Sequence, residues 1–569
     1  MNNIQSHLTF LYGADVTQDL LPRVERMIAE YRARIPARSG ELSERDSLLI
    51  TYGDQIQAQT RPEQSRRDEE PLKTLNTFCE KYLTDVVGGV HILPFYPWTS
   101  DDGFSVTDYR EVDPNLGTWE DISALQSHFR LMFDGVINHI SSQSGWFKGF
   151  LHDDLHYSPY FITVEGDPDL SQVVRPRALP LLTKVNTPSG EKKVWTTFSE
   201  DQIDLNYKNP EVLLEILDVM LMYAEHGATF IRLDAIAYMW KEIGTTCIHL
   251  PQTHHIIQFL RAAFDQAAPH VHFITETNVP HMDNISYFGD GTNEARLVYN
   301  FALPPLTLHT FHAGNAQILS TWAKTLTLPS DKTTFFNFLA SHDGVGLNPA
   351  RGILPDADID SLVEKTLAHG GLISYKTNPD GTQTPYEMNI NYFDALSNPH
   401  GDESLDVQVD RFLASQAIML SITGVPGIYF HSLFGSRGWL EGVRQTGRNR
   451  TINRQKCQFE ELQSQLADED SLRSKVFSKY TQLLTARRTT SAFDPHSRQN
   501  VLDLHPAVFA VERIPPDGST NVLCLHNVSR QAVSFSTTYQ SGVDLFAGRQ
   551  VYIAQIFLKP YQVLWLRIN

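Results

Sequence analysis

Cysteine is scarce in this chain. Cys79, Cys247, Cys457 and Cys524 are scattered over 569 residues, and no two stand at metal-ligand or redox spacing. That excludes a disulfide scaffold and reads as free thiols in a reducing, cytoplasmic compartment. Long apolar runs are missing too. None reaches the roughly 20 residues that a membrane helix needs, so no membrane partner is expected. The opening residues, Met1-Asn2-Asn3-Ile4-Gln5-Ser6-His7, lack the basic-then-apolar order of a secretory leader. Positive charge is in deficit: 47 Lys and Arg against 66 Asp and Glu leave a net charge of −19. This argues against nucleic acid as a partner. There is no phosphate-cradling GxxxxGK[ST] loop, no dinucleotide fingerprint and no zinc spacing, so no cofactor or metal is expected. Internal repeats and low-complexity segments are absent as well.

What remains is globular. The chain is 41% hydrophobic and 11% aromatic, and its length exceeds what one core usually holds. Residues 1–46 read as a helical extension, with Leu20, Leu21, Val24 and Met27 at helical spacing. Gln55–Glu70 reads as a solvated polar loop. Strands are expected at Leu48–Tyr52, Val87–Leu93, Leu131–Ile137, Phe230–Leu233, Val271–Thr275, Arg296–Phe301, Thr334–Leu339 and Val425–Phe430, with helices between them. One helix opens at Asn209-Pro210, with Asn as N-cap and Pro at N1, and stops at Gly227. Eight alternating units predict an α/β fold, a parallel (β/α)8 barrel over 47–488. Residues 142–203 would form an inserted subdomain after strand 3. Residues 344–395 would form a second insertion, with a helix near 357–369 and a turn at Asn378-Pro379-Asp380-Gly381. After a helix near 470–487 and a loop over Thr489–Asn500, residues 489–569 read as an antiparallel β domain with strands at 508–511, 522–525, 532–535, 551–557 and 563–566.

Chemistry concentrates in Gly227-Ala228-Thr229-Phe230-Ile231-Arg232-Leu233-Asp234-Ala235-Ile236-Ala237-Tyr238. Side chains repeat every two positions along a strand, so Arg232 and Asp234 share a face. Taken alone, the pair reads first as a structural ion pair. Other strand ends carry matching residues: Asp134 to His139, Thr275-Glu276-Thr277-Asn278 and Ser341-His342-Asp343, with Tyr96 and Asp101 to Phe104 after the second strand. In a parallel barrel these ends converge on one mouth. Glycosyl transfer with retention needs such a set: a carboxylate nucleophile, a carboxylic acid that turns base, a further anion, and polar and aromatic contacts for a sugar.

The ordered segments DGVINH, FIRLDAIAY, ITETN and FLASHDG resemble the four signature segments of the α-amylase superfamily, glycoside hydrolase family 13. The resemblance implies Asp234 as nucleophile, Glu276 as acid/base and Asp343 as transition-state stabiliser. It implies Arg232 holding the nucleophile, and His139 and His342 at the reacting sugar. VHILPFYPWTSDDGFSVTDY, RPRALP, TTFSEDQIDLN, NRTINR and YNFALPPLTLH resemble the sucrose phosphorylase branch over nearly the whole chain. That adds Asp101 and Phe104 at the glucosyl ring, Phe198, Gln202 and Arg450 as sugar contacts, and Arg175 and Arg177 in an acceptor loop. Tyr238, Tyr386 and Glu387 complete the expected binding set. The chain departs from sucrose phosphorylases in its longer N-terminus, its longer 344–395 insertion, Asn278 in place of His, and Pro385-Tyr386-Glu387-Met388-Asn389. Further segments, such as WKEIGTTCIHL and SHDGVGLNPARG, resemble the glucosylglycerate phosphorylase subgroup. The implied reaction is reversible phosphorolysis of 2-O-α-D-glucosyl-D-glycerate to α-glucose 1-phosphate and D-glycerate. Sucrose, sucrose 6′-phosphate and glucosylglycerol stay open as donors, as does a non-catalytic binding subunit. Both acceptors are anions, so Arg175, Arg177 and Lys241 are candidate cations, with Lys241 read first as structural.

Overall fold

A computed structural model describes residues 3–58, 69–176, 179–378 and 382–568 of the chain. Eight strands close into a parallel barrel: β1 (Leu48–Thr51), β2 (Gly89–Ile92), β3 (Arg130–Gly135), β4 (Ala228–Leu233), β5 (His272–Thr275), β6 (Leu297–Tyr299), β7 (Thr334–Asn337) and β8 (Val425–Tyr429). Each pairs with its chain neighbours, and β1 closes on β8. All eight sequence-derived strands are present. β1, β2 and β4–β8 are buried throughout, which is why they read as near-continuous apolar runs rather than alternating ones.

The helix before β4, Pro210–Glu225, starts as its sequence dictates: the Asn209 side chain accepts the Glu211 N–H, and Pro occupies the first turn. Gly227 follows with φ +101°, and a Cβ there would overlap the Gln126 side-chain amide. The chain can therefore turn sharply into β4 only at a residue without a side chain.

The N-terminal segment is helical only as far as Arg34, in α1 (Asn3–Tyr12) and α2 (Ala14–Arg34). Ile35 precedes Pro36, whose ring forbids the helical conformation to the residue before it, and Ile35 is extended at ψ 123°. α2 buries Leu20, Val24, Ile28 and Tyr31. Arg23 pairs with Glu211 at 2.6 Å, and the Tyr31 hydroxyl donates to Asp218 at 2.9 Å, so α2 lies along the helix that feeds β4. In the polar stretch 55–70, Ile56–Gln57 pairs with Cys457–Gln458, while 59–68 fall outside the described residues.

Between β3 and β4, His139–Ser141 pairs with Gln202–Asp204, and a hairpin joins Leu182–Thr187 to Gly190–Trp195. After β7, a three-stranded sheet runs in the order Val345–Gly346, Gln383–Asn389, Leu372–Thr377, with the helix Asp356–Ala368 beside it. Of the expected turn there, Pro379 to Gly381 lie outside the described residues.

The C-terminal strands are antiparallel. A six-stranded sheet takes the order β9-β10-β11-β16-β13-β14, built from β9 (Arg498–His505), β10 (Val508–Ile514), β11 (Asn521–Asn527), β13 (Ser541–Asp544), β14 (Gln550–Tyr552) and β16 (Val563–Ile568). β12 (Val533–Ser536) pairs with β15 (Gln555–Leu558). Two corrections arise here. The loop expected over 489–500 ends in β9, an edge strand whose polar start hides it from a hydrophobicity reading. The single strand expected at 551–557 is two, because the chain leaves one sheet and enters the other at Ile553-Ala554. Among the described residues no helix is long and apolar enough to cross a membrane.

Gly227→Ala should lower the thermal unfolding midpoint, by an amount equivalent to about 1–3 kcal/mol, the usual cost of a side chain in a disfavoured backbone region. A midpoint equal to that of the wild type would show that the turn into β4 tolerates a Cβ.

Candidate active site

The barrel register sets up the site. Asp134 on β3 and Arg232 on β4 are direct partners across the sheet, and Arg232 in turn faces Ile274 on β5. Arg232 and Asp134 form a buried ion pair, and Arg232 also donates to Asp234 at 2.8 Å. The other Asp134 oxygen accepts from His91 on β2 at 2.6 Å. Burial opposes the charge of Arg232, but Asp134 and then Asp234 outweigh it and hold the guanidinium firmly protonated. The Phe104 and Tyr299 rings each lie 5.5 Å from it, giving the cation two aromatic walls.

Asp234 ends this row. The next residue, Ala235, has φ 50°, a left-handed turn that a non-glycine residue holds only under strain. In that turn the Ala235 N–H donates to Glu276 Oε2 at 3.1 Å. The Arg232 guanidinium is 3.9 Å from Glu276 but 2.8 Å from Asp234. This difference separates the two acids. Burial raises both, and Glu276, with the weaker contact to Arg232 and with Asp234 and Asp343 nearby, is pushed up to about 7. Asp343 goes the other way. Burial alone would raise it, but Arg450 at 2.6 Å and Arg454 at 3.6 Å hold it well below the usual carboxylate range. One acid is thus poised to carry a proton near neutral pH while another stays ionised.

Around these groups the cavity is walled by Asp101, Phe104, His139, Phe198, Gln202, Tyr238, Asn278, His342, Tyr386 and Arg450. His342 stacks on Phe104 at 4.9 Å with the rings 5° from parallel. Burial lowers His342 to about 3, so it is neutral. His139 Nε2 donates to the Phe104 carbonyl at 2.8 Å, and Gln202 donates to the same carbonyl at 3.1 Å. Asp101 and Asp102 are left-handed, and Arg454 ties Asp102 to the Asp343 side of the mouth.

The profile described as the alpha-amylase catalytic domain matches residues 80–345. A glucosylglycerate phosphorylase of Spirochaeta thermophila is 48% identical over 100% of this chain and 98% of its own. One from Escherichia coli is 45% identical over 99% of both chains. The chain belongs to the glucosylglycerate phosphorylase family of the α-amylase superfamily. Among solved structures, a sucrose 6F-phosphate phosphorylase from Thermoanaerobacter thermosaccharolyticum superimposes with a TM-score of 0.73 at 26% identity, over 90% of this chain and 98% of that one.

Two of the family-derived site residues that the structure describes, Arg175 and Glu387, lie outside the inner cavity. Arg175 is exposed, its guanidinium donating to the Leu179 carbonyl at 2.6 Å. Arg177 lies outside the described residues. Glu387 is buried and turned to Arg450, which it grips through two hydrogen bonds of 3.0 and 2.7 Å. Lys241 is structural, ion-paired with buried Asp204 at 2.5 Å and donating to Asn138. Sequence reasoning passed over His91, Asp134, Arg454 and Tyr299. Asp134 was in view as a motif residue, and the two-residue strand period with parallel register could have paired it with Arg232. The arrival of Arg454 from a distant loop had no local signal. Among the described residues no group of three or more His, Cys, Asp and Glu side chains is gathered for a metal.

The raised Glu276 gives a linkage prediction. Its folded pKa, about 7, lies above its unfolded value, so its favourable contribution is complete at low pH and is lost as pH rises towards 7. Glu276→Gln removes that dependence. The stability of the variant relative to wild type should climb between pH 4.5 and 7 by roughly 3 kcal/mol at most, then level off. A pH-independent difference in unfolding midpoint would overturn the assignment.

Proposed function

We propose that this protein is a retaining α-glucosyl phosphorylase that splits 2-O-α-D-glucosyl-D-glycerate with phosphate into α-D-glucose 1-phosphate and D-glycerate, reversibly. The observation that carries the reading is the division of labour among three carboxylates around Arg232, in a chain 45% and 48% identical over its length to glucosylglycerate phosphorylases. In the first step an Asp234 oxygen bonds to the glucosyl anomeric carbon as the bond to the glycerate oxygen breaks. The Glu276 proton goes to that oxygen. In the second step a phosphate oxygen attacks the same carbon, its proton passes to Glu276, and Asp234 is released. Two inversions return the α configuration.

The other roles follow as proposals. Arg232 orients Asp234 and offsets part of the burial that raises it. Asp343, held ionised by Arg450 and Arg454, faces the positive charge that grows on the ring. His342, which is neutral, and His139 address sugar hydroxyls, Asp101 and Arg450 the far edge of the glucose, Phe104 and Phe198 its faces, and Gln202 and Tyr238 the remaining wall. Asn278, Tyr386 and Arg175 serve the acceptor side, to which the family resemblance also assigns Arg177, and Glu387 acts through Arg450. The 1–46 extension, the 47–488 barrel with its 142–203 and 344–395 insertions, and the 489–569 β domain are the proposed division of the chain. Four buried, unpaired cysteines suit a reducing cytoplasm.

Incubation with glucosylglycerate and phosphate should yield α-glucose 1-phosphate, and kcat/KM should exceed that for sucrose, sucrose 6′-phosphate and glucosylglycerol. Free glucose as the main product, or a preference for another donor, would overturn the assignment. Asp234→Asn and Glu276→Gln should each lose at least several orders of magnitude in rate while keeping the wild-type fold by circular dichroism. The wild-type rate should fall as pH rises past about 7, where Glu276 loses its proton.

A further inference from the structure

Beside the carboxylate cavity lies a second one of about 310 Å³. Pro176, Tyr238, Asn278, Val279 and Tyr386 wall both, so the two are contiguous. The second is cationic. Arg351, from the segment after β7, and Lys376, from the Leu372–Thr377 strand, both line it, with exposed Arg175 at its rim. Among the described residues its one acid, Asp283, is exposed, and His249 is engaged with the Tyr287 hydroxyl at 2.7 Å.

The two inner cations are poorly compensated. Lys376 has Arg351 as its charged neighbour, and burial and that like charge both lower its pKa. Among the described residues the nearest acid to Arg351 is Asp356, at 3.8 Å and with its side chain 93% exposed, where an ion pair is worth little. Arg351 Nε is buried without a hydrogen-bond partner. So are Asn278 Oδ1 and Asn348 Oδ1, two more groups of the same cavity. Buried polar atoms are normally paired, and orphans grouped in one cavity mark the outline of a missing ligand. Here the outline is a small molecule with an anionic end for Arg351 and Lys376 and hydroxyls for the two Asn. Phosphate and a hydroxy acid such as glycerate both match.

We propose that Arg351 and Lys376 form the anion-binding end of the acceptor site, holding the phosphate and the glycerate carboxylate in turn. This rests on the reading that these two are the acceptors. Both come from the insertion after β7, Arg351 at the end of the SHDGVGLNPARG segment and Lys376 on a strand outside any of the quoted motifs.

The test uses the full-length enzyme with α-D-glucosyl fluoride, which charges the enzyme without a second anionic group. Subsaturating phosphate or D-glycerate then competes with water, and the ratio of transfer product to free glucose is measured. In Lys376→Met and in Arg351→Gln the ratio should fall at least tenfold for both anions, through a higher KM for the anion, and further in the double variant. An unchanged ratio, or a fall for one anion alone, overturns the shared site. A wild-type enzyme that transfers glucose to neither anion overturns the phosphorolysis reading itself, and is told apart by needing no variant. Thermal melting monitors folding, and should Arg351→Gln fail to fold, Lys376→Met on a half-exposed side chain decides the matter.

Discussion

One buried guanidinium organises the mouth of this barrel. Arg232 is held between Asp134 on one neighbouring strand and Asp234 on its own, with Glu276 on the next strand at the edge of its reach. Taking such a group out of water is costly, and it persists because several carboxylates share its charge. The same sharing tunes them. Asp134, closest to the cation, is held below the usual carboxylate range despite its burial, and Glu276, farther off, keeps its proton to about 7. Position along a parallel register thus becomes a difference in acidity. His91 extends the row to a fourth strand, so the arrangement is anchored in the most rigid part of the fold rather than in loops.

Much of this was legible in the sequence. The barrel strands announce themselves as short apolar runs, because both of their faces are buried. The carboxylates stand at strand ends, where chain order and barrel geometry bring them together. Gly227 and Asn209-Pro210 marked the helix boundaries through local backbone chemistry alone. The illegible parts share a cause. β9 is a polar edge strand, and the break in 551–557 is dictated by which sheet each half joins. Arg454 and the Glu387 grip on Arg450 depend on distant segments meeting, which no local pattern encodes. Lys241 shows the converse: a cation close in sequence to the site, yet spent on Asp204 beneath it.

Strain is unevenly spread. Among the left-handed residues that are not glycine, Asp101, Ala235 and His249 line one or other of the two cavities. Gly346 contributes differently: a Cβ there would press within 2.6 Å of the Asn278 side-chain amide. The sheet of the second insertion therefore reaches the site by bare backbone, so that Asn278 and Tyr386 can meet at 3.3 Å.

That small sheet has one more consequence. Tyr386 walls the inner cavity while its neighbour Glu387 grips Arg450. The ladder to Leu372–Thr377 passes from Glu387 opposite Ser374 to Pro385 opposite Tyr375, so Tyr386 is the extra residue of a β-bulge. Loss of one residue there would close the bulge and take the ring out of the cavity wall, so the length of this strand is fixed at the point on which both the wall and the Arg450 brace depend.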